Sequence, residues 1–218
     1  MSTNLLTAEQ AVRPNMKYVT LVSIIAALGG FLFGFDTAVV SGAIGFMTDK
    51  FALNDVQIGW AVSSLIIGCI IGAALSGTLS DGLGRKKVLI AAALLFIVGS
   101  IGSAIPETFT GYIVARMIGG IGIGITSTLC PLYNAEIAPA RYRGRLVALN
   151  QFAIVSGIFL TYFINSGIAS YGDDAWDIAN GWRWMFGVGA IPGVLFMILL
   201  FLVPESPRWL IKQGRPEE

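Results

Sequence analysis

The sequence predicts an all-α membrane protein built on six transmembrane helices. Two observations carry that reading. Of the 218 residues, 55% are apolar and only 12% are charged, about half the ~25% of an ordinary soluble domain. The few ionisable residues also gather in short stretches that separate six apolar runs, each near or above the ~20 residues a helix needs to cross the hydrocarbon core. Membrane-spanning strands would need only ~10 residues and would alternate in polarity, a pattern the sequence lacks.

The runs follow in order. Residues 1–17 are polar and contain Pro14. The apolar run behind them is too long for the h-region of a cleavable leader, so residues 1–17 read as a tail and the first run as a retained helix. That first span covers 18–47 and is interrupted by Asp36. The second covers 56–80 and the third 88–106. The fourth, 111–135, contains Arg116, while the fifth, 146–172, and the sixth, 184–204, are free of charge until their ends. The bundle therefore occupies 18–203, and 204–218 form a second polar tail. Pro131 and Pro192 lie inside apolar runs, where the ring removes a helical donor and is expected to kink or end the helix. Gly68 and Gly72, Gly120 and Gly124, and Gly189 and Gly193 are small residues four apart, a spacing that lets helix backbones approach closely in lipid.

The connections alternate in charge. Arg13 and Lys17, then Arg85, Lys86 and Lys87, then Arg141, Arg143 and Arg145, then Arg208, Lys212 and Arg215 all fall on one side. The other side has Lys50 and Arg183, with Asp49, Asp55, Glu107, Asp173, Asp174 and Asp177 beside them. The basic side is expected to be cytoplasmic. Both termini would then lie inside a multi-pass protein of the cell membrane, with 172–180 external.

Several function classes fall away. There is no histidine, which removes histidine-based zinc sites, Ser-His-Asp triads and histidine proton shuttles. Cys69 and Cys130 each lie in an apolar run and read as small buried residues. Lys and Arg number 14 against 13 for Asp and Glu, so bulk charge gives no nucleic-acid partner. Glycines 119, 120, 122 and 124 have no strand before them, so they are not a dinucleotide loop. No paired nucleophile and base is visible, and neither an enzyme nor a cofactor or metal site is expected.

Two charges remain inside spans. Asp36 lies roughly 28 Å along a helix from Lys17 at ~1.5 Å per residue, in the outer half of a long first span. Arg116 is a turn or more inside the fourth. Each alone is costly in hydrocarbon, so the two are expected to find each other. A change in their separation would alter the free energy of holding a proton on Asp36, which is a way to couple a proton to transport. On the fifth span, Gln151, Ile154 and Ile158 share one helical face. One amide on an apolar face suits a sugar, which has hydroxyls at its edge and C–H faces. Between the second and third spans stands Gly77-Thr-Leu-Ser-Asp81-Gly-Leu-Gly84-Arg85-Lys86-Lys87. Its glycines permit a tight reversal, and Asp81 is placed to cap the next helix or to meet a basic partner.

That loop resembles the signature loop of the major facilitator superfamily. Three further stretches narrow the resemblance to the sugar porter family: Gly30-Phe-Leu-Phe-Gly34-Phe-Asp36-Thr-Ala-Val-Val-Ser-Gly42; Arg116-Met-Ile-Gly-Gly120 leading to Tyr133-Asn-Ala-Glu136-Ile-Ala-Pro139-Ala-Arg-Tyr-Arg143-Gly144-Arg145; and Pro204-Glu205-Ser206-Pro207-Arg208-Trp209-Leu210. The resemblance implies a six-helix half, a 3+3 inverted repeat, of the twelve-helix fold, with a second half as partner. It implies that Asp36 and Arg116 are the proton-coupling pair, and that Asp rather than the Asn of facilitative carriers favours symport. It implies that Gln151 contacts the sugar and that Phe33 packs near it. Ile158 stands where a xylose symporter of the family has a second Gln, which tilts the implied substrate toward a hexose. Asp81, Gly84, Arg85, Glu136, Arg143, Glu205 and Arg208 would form a cytoplasmic gate of salt bridges. On sequence alone the chain is a half of a proton-coupled monosaccharide transporter, a facilitative half, a half that works as a homodimer, or a non-transporting product, sensor or partner subunit.

Overall fold

The computed structural model describes residues 16–214. Arg13, Pro14, Arg215 and most of the N-terminal tail lie outside the described residues. Six long apolar helices cross the molecule: α1 (Met16–Phe51), α2 (Asp55–Leu83), α3 (Arg85–Ala104), α4 (Phe109–Ile137), α5 (Arg143–Ala169) and α6 (Asp174–Phe201). A short α7 (Pro207–Lys212) follows. The helix through Asp36 is continuous.

Local chemistry sets the ends. Asn54 opens α2 through a capping box: its Oδ1 accepts from the Gln57 backbone N–H at 2.9 Å, while Gln57 Oε1 accepts from the Asn54 N–H at 3.0 Å. Thr108 Oγ1 caps α4 by accepting from the Gly111 N–H at 3.2 Å. The α2–α3 reversal turns on Gly84, whose φ of 95° is one glycine adopts without steric cost. α4 continues through Pro131, and Pro192 stands in the first turn after a break at Gly189, where its missing N–H deprives no partner.

The sixth helix corrects the sequence reading. It starts at Asp174, well before residue 184, because Asp173 caps it by accepting from the Trp176 N–H at 2.9 Å. It then makes a turn of π-helix at Asp177–Gly181. Hydropathy marks the stretch that lipid surrounds, whereas a capped helix continues past it. Part of the expected external loop is therefore helical.

α2 packs along α4, and α5 packs along α1. Exchanging the first three helices with the last three converts one pairing into the other, as a 3+3 inverted repeat requires. Glycines make both crossings. A Cβ added at Gly72 would lie 2.1 Å from the Ile121 carbonyl oxygen, and one at Gly124 would lie 2.2 Å from that of Cys69. On the other pair, a Cβ at Gly34 would lie 2.0 Å from the Ile154 carbonyl oxygen, and one at Gly157 would lie 2.4 Å from that of Phe31. Gly189 and Gly193 instead receive Phe35 and Phe96 side chains. α1 and α5 run in the same direction, with Gly30 against Asn150, Gly34 against Ile154 and Gly42 against Asn165.

Candidate functional site

α1 and α4 bring together the two charges that the sequence left inside spans. Arg116 Nη1 donates to Asp36 Oδ1 at 2.6 Å, and Arg116 Nη2 donates to the Asp36 backbone carbonyl at 3.3 Å. Asp36 is 5% exposed and Arg116 2%, so Arg116 does not extend to the membrane surface. Its guanidinium stands 5.2 Å from the centroid of the Phe186 ring on α6, which adds a cation–π attraction. Asp36 Oδ2 and Arg116 Nε have no hydrogen-bond partner among the described residues. The carboxylate thus has one oxygen committed to the ion pair and one free. Separating such a buried pair strands an uncompensated charge, at a cost of about 3–5 kcal/mol. A proton on Asp36 removes that cost at the carboxylate. The arrangement is chemically suited to exchange a proton for an arginine contact.

Phe33 lies within one turn of Asp36 on α1, and Ile154 of α5 meets the adjacent Gly34. Phe33 is half-buried and packs against the core that contains Leu32, Phe96 and Leu129. Ile154 and Ile158 are half-buried and Gln151 is exposed on α5. The contact of Gly34 with Ile154 sets Phe33 level with that part of α5. Gln151 points its amide at no partner among the described residues, so its hydrogen-bonding capacity is free.

At the end of the bundle with basic loops, five segments meet in one polar network. Arg85 forks onto Glu136, with Nε to Oε2 and Nη2 to Oε1 both at 3.3 Å. Arg85 Nη1 donates to Asp81 Oδ1 at 2.9 Å and to the Ser80 carbonyl at 3.0 Å. Ser206 donates its hydroxyl to Glu136 Oε2. Glu205 Oε1 accepts from the backbone N–H of Arg85 at 2.8 Å and of Lys86 at 3.2 Å. It thereby places a negative charge on the orphan donors of the α3 N-terminus. Asp81 was expected either to cap α3 or to meet a basic partner. It does the second, with Arg85 and with Lys212 Nζ at 3.1 Å, and Glu205 does the capping. Gly84 is required here, because a Cβ would lie 2.3 Å from Glu205 Oε2.

Not every expected gate residue joins. Arg143 and Arg208 are exposed and form no ion pair among the described residues. Residues that sequence reasoning missed also join: Ser206, Lys212, and Trp209 and Gln213, whose Nε1 and Nε2 donate to the Asp81 carbonyl at 3.0 and 3.4 Å. The Ser206-Pro207 pair opening a helix was a readable cap signal, because Ser206 is the N-cap of α7. Its second duty toward Glu136 depends on folding.

Comparison with known proteins adds an independent line. A family model described as "Sugar (and other) transporter" matches residues 22–218. The arabinose-proton symporter of Bacillus subtilis is 47% identical over 204 residues, which cover 94% of this chain and 44% of that protein. The D-xylose-proton symporter of Escherichia coli is 43% identical, with 94% and 47% covered. A solved structure of a major facilitator superfamily proton:xylose symporter bound to 6-bromo-6-deoxy-D-glucose superposes with a TM-score of 0.90 at 43% identity, covering 93% of this chain and 48% of that one. The chain spans about half the length of the curated relatives it matches.

Proposed function

Since this chain belongs to the sugar (and other) transporter family, we propose that it supplies one six-helix half of a proton-coupled monosaccharide transporter. The observation that carries this reading is the buried Asp36–Arg116 pair, with one carboxylate oxygen uncommitted. The second half covers the open sides of α2 and α5, the two least buried spans at 28% and 17%. Sugar binds between the halves, against Gln151, Phe33, Ile154 and Ile158. In one state Asp36 is charged and held by Arg116; in the other it carries a proton and the two part. Access alternates as the halves rock around the site. The network of Asp81, Arg85, Glu136 and Glu205 holds the basic end shut in one state. Exposed pairs contribute only ~0–1 kcal/mol each, so its outer members release readily.

The apolar Ile158 supports a hexose as substrate. The names of the arabinose and xylose relatives support a pentose. Competition of D-glucose, D-xylose and L-arabinose for uptake separates the two. Gln151→Ala is expected to raise the KM for sugar roughly three- to tenfold, the loss of one or two neutral hydrogen bonds, with little change in maximal rate. An unchanged KM removes Gln151 from the site.

The same reading orients the protein in the cell membrane with the basic end cytoplasmic. A cysteine introduced at the exposed Ala175 should react with a membrane-impermeant maleimide in intact cells. Labelling confined to inside-out vesicles reverses the orientation.

A further inference from the structure

The turn of α1 that carries Asp36 is held from the α5 side by two side chains the mechanism above leaves unused. Thr161 Oγ1 gives its one proton mainly to the Gly157 carbonyl of its own helix at 2.7 Å and stands 3.5 Å from the Phe35 carbonyl, the longer branch of a shared bond. Asn165 Nδ2 donates to the Val39 carbonyl at 3.2 Å. These carbonyls bracket Asp36, whose own carbonyl is held from α4 by Arg116. Thr161 and Asn165 are 0% and 4% exposed.

These donors are not explained by packing alone. Asn165 leaves its buried Oδ1 without a hydrogen-bond partner among the described residues, an arrangement that opposes stability. The symmetry-related crossing of α2 on α4 is likewise made by glycines; there the α2 hydroxyls of Ser64 and Ser76 bond carbonyls of their own helix, and the side-chain contact across it, Tyr112 Oη to the Ala61 carbonyl at 3.5 Å, comes from α4. The two tight crossings also leave two locked pairs, α1 with α5 and α2 with α4. The Asp36–Arg116 contact runs from one pair to the other.

Building on the proposed symport, we propose that Thr161 and Asn165 are positioning residues that make the Asp36 turn move with α5 rather than with α4. Gln151 stands on the same unbroken helix. Sugar engaged there displaces α5, and the Asn165 bond to Val39, backed by the Thr161 contact with Phe35, delivers that displacement to the carbonyls on either side of Asp36. The ion pair to Arg116 then opens, and Asp36 takes its proton. Thr161 and Asn165 touch neither sugar nor proton.

The test uses the full-length transporter in vesicles. Thr161→Val keeps the shape and removes the donor, Asn165→Leu does the same at the second position, and Thr161→Ser retains the donor. The double variant is expected to lose at least tenfold in sugar accumulation under an imposed pH gradient, with counterflow within about twofold of wild type. Its pH profile of accumulation flattens, and Thr161→Ser restores wild-type accumulation. Wild-type accumulation by the double variant overturns the proposal. A parallel fall of accumulation and counterflow also overturns it, since that is the mark of a general packing role. If Asn165→Leu is not recovered in the membrane, Asn165→Ala takes its place and decides by the same readouts. Asp36→Asn, measured alongside, separates the two readings. If that variant accumulates sugar, the symport reading fails; if it does not while the α5 variants do, only the role of α5 fails.

Discussion

In a complete transporter carrying this half, Asp36→Asn is expected to abolish proton-driven sugar accumulation and to leave sugar exchange near the wild-type rate. The argument is a difference between two states. Asp36 is almost fully buried, with Arg116 Nη1 2.6 Å from one oxygen and no hydrogen-bond partner for the other among the described residues. A carboxylate in that position is stable as an anion only while the guanidinium stays. Once the two part, the anion is left in a dry site and the protonated form is favoured. The asparagine fills the same volume and still offers an oxygen to Arg116, but carries no proton through the cycle. Each unit of pH gradient drives about tenfold accumulation in a one-to-one symporter, since one unit is worth ~1.4 kcal/mol. The variant should equilibrate sugar and go no further. Phe33, Gln151, Ile154 and Ile158 are untouched, so binding and counterflow persist. Loss of counterflow as well would instead make Asp36 a structural or sugar-binding residue.

Gly72→Val destroys the bundle, while Gly77→Val, one and a half turns along the same helix, leaves it intact. A Cβ at Gly72 would lie 2.1 Å from the Ile121 carbonyl oxygen, whereas nothing lies within 4 Å of one at Gly77. The atom in the way is backbone, so no rotamer change relieves the clash. α2 and α4 must separate by more than 1 Å, given ordinary carbon–oxygen contact at roughly 3.3 Å. Overpacking in cores costs about 1–3 kcal/mol and more where the surroundings cannot yield. Here separation also loosens Gly68 on Gly120 and Gly124 on Cys69. Thermal unfolding in detergent checks this: Gly72→Val should yield little folded protein or a midpoint lowered by many degrees, with Gly77→Val near wild type. Equal midpoints would mean that the α2–α4 crossing is not held by close backbone approach.

The spans were legible because lipid imposes one demand on every residue it touches, and the sequence records that demand as six apolar runs. The buried ion pair was legible for the same reason: Asp36 and Arg116 are costly alone, and each was the other's only opposite partner inside a span. The small-residue spacing marked Gly68, Gly72, Gly120 and Gly124 as contact points, but not that they face one another. What escaped the sequence depends on chain segments far apart. Glu205 caps a helix that begins 120 positions earlier, and no spacing rule reaches that far. Arg143 and Arg208 are exposed and pair with no carboxylate among the described residues; the gate expected of them includes partners in a second half. The early start of α6 escaped because charge ends an apolar run without ending a helix. Thr161 and Asn165 carry no sequence signal, because the α1 carbonyls they face lie 126 positions away.

The central claim is that Asp36 carries the proton that moves with the sugar. It is tested most directly by the pH of a lightly buffered suspension of cells bearing the full-length transporter. Addition of sugar should raise the external pH in step with uptake, and Asp36→Asn should take up sugar down its gradient with no pH change. Sugar uptake without alkalinisation in the wild type, or alkalinisation that persists in Asp36→Asn, would contradict the account.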